Sequence, residues 1–101
     1  MAQRQDAVKV IWTRLAIADL DSAYAYIAEE NPSAAAGLIE RIENSTAMLV
    51  RHPQLGRNGR VEGTRELVVA GSPFVIAYRE KKGRLEVLAV IHGGRRWPDI
   101  L

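Results

Sequence analysis

The stretch RELVVAGSPFVIAYREKKGRLEVLAVIHGGRRW, residues 65–97, decides the fold. Three runs rich in Val, Ile, Leu, Phe and Tyr are cut by two sets of turn residues, Gly71-Ser72-Pro73 and Lys81-Lys82-Gly83. This pattern predicts strands over 65–69, 74–80 and 84–92, the last two closing a tight hairpin. The final run is apolar on both parities, with Leu85, Val87, Ala89 and Ile91 on one and Leu88 and Val90 on the other. Such a strand belongs inside a sheet with both faces at least partly covered. It stops at His92, and the basic loop Gly93-Gly94-Arg95-Arg96 comes next. An imidazole and two permanent cations at the end of a rigid sheet point to an anionic partner.

Working back toward the N-terminus, Val8-Lys9-Val10-Ile11-Trp12 is a short β-rich run, and Thr13 can cap a helix that starts after it. Ile17, Leu20, Tyr24 and Ile27 recur at spacings that place them on one stripe of this amphipathic helix, predicted to face the core. Asp19 and Asp21, in its early turns, suit the positive helix end and read as surface charges. Asn31 and Pro32 then fit the cap and first position of a second helix. That helix turns Leu38, Ile42 and Leu49 inward and stops at Arg51-His52-Pro53, because proline disfavours helical geometry in the residue before it. Residues 54–63 form a basic, glycine-bearing loop. The expected fold is α+β, one domain over 1–101. It has two layers in βααβββ order, an antiparallel sheet packed against an antiparallel helical hairpin.

Composition narrows the function classes. The 101 residues are 48% hydrophobic, ordinary for a globular domain, and include no cysteine, which excludes disulfides and thiolate metal sites. No apolar run reaches the length of a membrane span and no secretory signal is visible, so a cytoplasmic location is expected. The formal charge of +2 conceals an asymmetry. Residues 1–50 carry four basic and seven acidic side chains, a balance of −3, and residues 51–101 carry ten and five, a balance of +5. A basic sheet half joined to an acidic helical half suggests a face for anions, although a solvated surface gives the same numbers. No phosphate-loop, dinucleotide or zinc spacing is present, and neither a metal nor a cofactor is expected.

Several phrases in this order resemble the RelE/ParE superfamily of toxins from type II toxin–antitoxin pairs. They are Leu49-Val50-Arg51-His52-Pro53 at a helix end, Leu55-Gly56-Arg57, Arg65-Glu66-Leu67, and Val90-Ile91-His92-Gly93-Gly94-Arg95-Arg96. The resemblance covers roughly residues 8 to 97 and is closer to ParE-like members. It implies a growth inhibitor neutralised by a cognate antitoxin, with DNA gyrase as target. The alternative it implies is a RelE-like endoribonuclease that cuts mRNA on the ribosome. In either case operator DNA would be contacted only through the antitoxin.

A metal-independent ribonuclease needs a base for the 2′-hydroxyl proton, cations for the charge on phosphorus and an acid for the leaving oxygen. The candidates are His92 as base or acid, with Arg65 and Arg95 beside it. Arg57, Arg60, Arg79 and Arg96 are candidate anion or target contacts, since the guanidinium fork binds phosphate oxygens in pairs. Trp97 stands where RelE-like nucleases place a stacking ring. Three readings of His92 stay open: catalysis, anion or partner binding, and packing at a strand end. Glu66 should face away from Arg65 because neighbours on a strand alternate. His52 suits a helix C-terminus, and Trp12 and Tyr78 suit the core. Arg57 and Arg60 belong either to a solvated loop or to an anion-facing edge.

Overall fold

A computed structural model describes residues 9–93. The chain forms β1 (Lys9–Trp12), α1 (Arg14–Ala28), α2 (Pro32–Arg51), β2 (Arg57–Asn58), β3 (Arg65–Val68), β4 (Phe74–Lys81) and β5 (Arg84–His92). The strands lie in the order β1-β5-β4-β3-β2, with the two helices packed on one face. The α+β two-layer architecture expected from the sequence is present. Two details differ from that expectation. The sheet is mixed, because β1 runs parallel to β5 from Lys9↔Arg84 to Trp12↔Val87. It also gains a fifth strand, because Arg57-Asn58, in the segment read as loop, pairs antiparallel with β3.

Local chemistry accounts for the helix starts. Thr13 accepts a hydrogen bond from the Ala16 N–H, and Asn31 accepts one from the Ala34 N–H, each satisfying a donor that the first helical turn leaves open. α2 begins with Pro32, ends at Arg51 and is capped by His52, whose N–H donates to the Met48 carbonyl. The β4–β5 turn is made by Lys82 and Gly83, with φ of 52° and 75°. Left-handed backbone is free for glycine, whereas at Lys82 the Cβ makes it cost about 1 kcal/mol.

One core lies between the helices and the sheet. Ala16, Ala23, Leu38, Ile42 and Leu49 from the helices meet Phe74, Ile76, Tyr78, Leu85, Val87 and Val90 from β4 and β5. A smaller cluster of Ala77, Ala89 and Ile91 lies on the opposite face. β4 and β5 are interior strands and are buried on both parities, as their sequence demands. A β-bulge between Ala77 and Tyr78 takes up one residue of β5, so Ala77 stands opposite Ala89 and Tyr78 opposite Val87.

The inward face of α1 is a correction. Ile17 and Tyr24 were expected in the core, yet they are 51% and 43% exposed. The buried stripe is Ala16, Leu20, Ala23 and Ile27, which keeps two of the four expected residues. Two polar side chains set this rotation. Thr13 Oγ1 donates to the Leu88 carbonyl, and Asp19 Oδ2 accepts from the Val90 N–H at 3.0 Å. Both anchors must face β5, and Ala16 between them, with Ala23 a turn beyond, lets the helix lie close to the sheet. β1 ends at Trp12, so beyond Val87 this edge of β5 has no partner in β1. Helix side chains take over part of the pairing, which edge backbone otherwise leaves open. Asp19 is therefore not the surface charge its position suggested. Burial raises its carboxyl above the ordinary value near 3.8, opposed by the Val90 hydrogen bond.

Candidate functional site

The candidate residues resolve into four places. On the helix-facing side, Arg65 pairs in register with Tyr78. Tyr78 is fully buried, donates from its hydroxyl to the Pro53 carbonyl and accepts from the Gly56 N–H, both at 2.8 Å. Arg65 Nη1 donates to the Gly56 carbonyl at 2.7 Å. Together these side chains fasten the segment after α2 to the sheet. Gly56 permits the contact, since a Cβ there would lie 2.6 Å from the Tyr78 hydroxyl. Burial raises the Tyr78 phenol above 10.0. The Gly56 hydrogen bond and the Arg65 charge oppose the rise, and Glu80 adds to it. An open cleft beside this anchor is lined by Asn58, Gly59, Glu62, Gly63, Thr64 and Arg65, so Glu62 and Arg65 line the same cleft.

The second place is on the opposite face, where Glu66 points away from Arg65 as strand alternation requires. Glu66 is 5% exposed. Its carboxylate accepts from the Arg60 N–H at 2.8 Å and from the guanidinium groups of Arg57 at 3.3 Å and Arg60 at 3.4 Å. Buried carboxylates are stable only with such partners. Arg57 and Arg60 therefore meet one carboxylate as well as solvent.

Arg79 is the third. It shares the helix-free face and donates to Glu86 at 2.6 Å, with Arg84 3.6 Å from the other carboxylate oxygen. The Arg79 hydrogen bond, chiefly, holds the Glu86 carboxyl below its ordinary range against the effect of burial; the charges of Arg79, Arg84 and Lys81 also contribute.

His92, the fourth, is half-buried at the end of β5. Its ring lies edge-on to Phe74 at 5.4 Å and to Tyr26 at 5.8 Å. His92 stands opposite Phe74 and Arg65 opposite Tyr78, four residues further along β4. At about 3.3 Å per residue that is roughly 13 Å along the sheet. The structure thus groups Arg57 with Arg60 through Glu66, and keeps Arg65 apart from His92. Arg95, Arg96 and Trp97 lie outside the described residues. Lys9, Lys81 and Arg84, which the sequence reading did not single out, stand in one register row beside Arg79 and Glu86.

This fold and these phrases have counterparts among known proteins. Residues 10–97 match the sequence model of the family described as "ParE toxin of type II toxin-antitoxin system, parDE". The chain belongs to the ParE toxin family. The ParE chain is 40% identical over 93 residues to "Putative toxin Y4kP" of Sinorhizobium fredii, a match covering 92% of this chain and 96% of that protein. It is 33% identical over 87 residues to "Toxin RelE2" of Caulobacter vibrioides, covering 86% and 97%. Its structure superposes with a TM-score of 0.77 on a chain of the "Chromosomal ParDE TA system from P. aeruginosa", at 27% identity and covering 87% and 98% of the two chains. The protein is the toxin of a type II toxin–antitoxin system, and such a system implies a cognate antitoxin. Among the described residues no helix is long and apolar enough to cross a membrane.

Proposed function

We propose that this toxin arrests growth from the cytoplasm by binding DNA gyrase, not by cutting RNA. The observation that carries this reading is the setting of His92, whose imidazole packs between Tyr26 and Phe74 roughly 13 Å along the sheet from Arg65. General acid–base catalysis of phosphodiester cleavage needs its proton-transfer groups and charge stabilisers within hydrogen-bond reach of one phosphate. The ParE family match points the same way. Supercoiling by purified gyrase, measured with and without the toxin, tests the proposal. Supercoiling should fall as toxin is added, and an unchanged rate at saturating toxin refutes it.

The likeness to "Toxin RelE2" supports a second reading, a ribosome-dependent mRNA endoribonuclease in which His92 and Arg95 act at the scissile phosphate. On that reading His92→Ala and Arg95→Ala abolish growth arrest and mRNA cleavage together. On the gyrase reading mRNA stays intact during arrest.

Under either reading the cognate antitoxin covers apolar surface that the fold leaves exposed. Ile17 and Tyr24 sit seven residues apart on α1, two helical turns along one stripe, with Leu15 and Tyr26 exposed on the same helix. An amphipathic segment folding onto such a stripe is a common recognition mode. The stripe lies in the half of the chain with a balance of −3, so an acidic segment would be drawn toward the +5 balance of residues 51–101 beside it rather than to α1 itself.

A further inference from the structure

We propose that the hairpin end of the helix-free face, around Lys9, Lys81 and Arg84, docks on the phosphodiester backbone of duplex DNA. The inference does not rest on gyrase being the target, and it gives the toxin a DNA contact of its own in place of one made only through an antitoxin.

The strand registers build the site. Lys9 stands beside Arg84, and Arg84 stands opposite Lys81, so three cations from three adjacent strands form one row. Neighbouring strands are about 4.8 Å apart, so the row spans roughly 10 Å of backbone. All three side chains are exposed. Two residues further along each strand, on the same face, come Ile11, Glu86 and Arg79. Glu86 is thus the one carboxylate among four cations in these two rows, and it is already engaged by Arg79 and Arg84. Lys82 adds a further cation at the turn, in left-handed backbone that glycine or asparagine would adopt more readily. Lysine gains nothing from that turn geometry, so its charge is the better explanation of its presence there.

Two plainer explanations fall short. Lysines often guard sheet edges against unwanted pairing, and Lys9 on β1 fits that role. Arg84 does not, because β5 lies between β1 and β4. A solvated surface would mix the signs, whereas this row contains no acid. The choice of duplex DNA over a single strand rests on the chemistry missing from this face. Single-strand binders stack bases on aromatic rings, and among the described residues no ring lies on this face, since Trp12, Phe74 and Tyr78 belong to the helix-facing core. A flat row of cations without stacking platforms reads phosphates alone.

The test is fluorescence anisotropy of a labelled random-sequence DNA duplex, titrated with the full-length toxin at several salt concentrations. Lys9→Gln/Lys81→Gln is compared with Arg14→Gln/Arg51→Gln, a charge-matched pair of exposed residues on the helices. Each phosphate contact contributes about 0.9 to the slope of log K against log salt, so the sheet pair should lower that slope by about 1.8. Between about 50 and about 200 mM salt the wild type should then lose roughly 12-fold more affinity than this variant. The helix pair should leave the slope unchanged, and Lys9→Gln alone should give half the sheet effect. Neither lysine of the sheet pair is the hydrogen-bond partner of Glu86, so far-UV circular dichroism should be unaltered. The proposal is overturned by absent duplex binding, by equal effects of the two pairs, or by an unchanged slope in the sheet pair. Tighter binding of single-stranded RNA or of polyglutamate than of duplex DNA at the same ionic strength also overturns it.

Discussion

Tyr78→Phe removes one oxygen atom and nothing else from the anchor that ties the end of α2 to the sheet. The ring is fully buried, so phenylalanine leaves no cavity beyond the hydroxyl itself. Two backbone groups lose their partner: the buried Gly56 N–H, and the Pro53 carbonyl, which accepts from the hydroxyl. A buried polar group left unsatisfied costs about 1–3 kcal/mol. The Pro53 carbonyl is only part-buried and can recover some of that loss from water. The net expectation is a loss of about 2–4 kcal/mol. Domains of this size are typically stable by about 5–15 kcal/mol, so the change should be large, lowering Tm by about 10–20 °C. Urea unfolding of both proteins measures it. A shift in midpoint at constant m isolates stability from a change in the unfolded chain. A loss below about 0.5 kcal/mol would mean that the two hydrogen bonds do not hold the loop, and the account of Gly56 and Arg65 would fall with it.

Alkaline pH gives the same substitution an independent signature. Burial raises the folded phenol of Tyr78 above 10.0, so the unfolded chain ionises first. The protonated phenol's contribution is fully present below the unfolded value and is lost as pH rises through the folded one. Wild-type stability should therefore drop as pH climbs above about 10, and the phenylalanine variant should lack this component. The gap between the two proteins must narrow in that window. A gap that widens there contradicts burial as the main cause of the shift.

At Asp19, burial and the Val90 hydrogen bond act on the same carboxylate in opposite directions, so two substitutions separate them. Asp19→Asn keeps an acceptor without the charge and should match or exceed wild-type stability at pH 7, whereas Asp19→Ala should lose about 1 kcal/mol; equal losses in urea melts would contradict this. Since burial dominates, stability from this group is greatest below the ordinary aspartate range and is lost as pH rises through the folded value. Glu66→Gln leaves Arg57 and Arg60 without their carboxylate and should cost about 1–2 kcal/mol, with faster hydrogen exchange over residues 56–66 as the local readout. Ile17→Asp and Tyr24→Asp should change toxin stability by less than about 0.5 kcal/mol, because both positions are exposed. Each should nonetheless weaken antitoxin binding at least about tenfold by calorimetric titration, and unchanged affinity in both would move the antitoxin to another surface.

How far the sequence foretold these features depends on how locally each is determined. Strand parity alone placed Tyr78 inside and set Glu66 opposite Arg65. Capping chemistry placed Thr13 and Asn31. By contrast, the inward face of α1 had two nearly equal solutions, since Leu20 and Ile27 belong to both the expected and the observed stripe. The large residues Ile17 and Tyr24 outweigh Ala16 and Ala23 in a sequence pattern, but close approach to β5 favours the small ones. The role of Asp19 depends on a tertiary fact, that β1 covers only the first part of β5 and leaves the Val90 N–H to be satisfied from the helix. Lys81 was read as part of the turn, and its place opposite Arg84 follows from a turn made by Lys82 and Gly83 alone, whereas Lys9 joins their row only through a parallel pairing that no local signal specifies.

The same distinction separates scaffold from target recognition in this toxin. Arg65 is spent on the Gly56 carbonyl, Arg57 and Arg60 on Glu66, and Arg79 on Glu86. Any ligand that drew Arg65 away would have to offset the loss of a 2.7 Å hydrogen bond and loosen the segment it fastens. Arg57, Arg60 and Arg79 are each partly exposed, but the carboxylates they serve are buried or nearly so, so a ligand that drew them away would leave Glu66 or Glu86 short of a partner. Cations outside such pairs are less costly to recruit, and Lys9 and Lys81 stand at the hairpin end of the sheet. His92 closes the opposite end, nine residues along β5, or about 27 Å at most. A scaffold with basic chemistry at one end and an aromatic-flanked imidazole at the other can present different surfaces to antitoxin, target and nucleic acid.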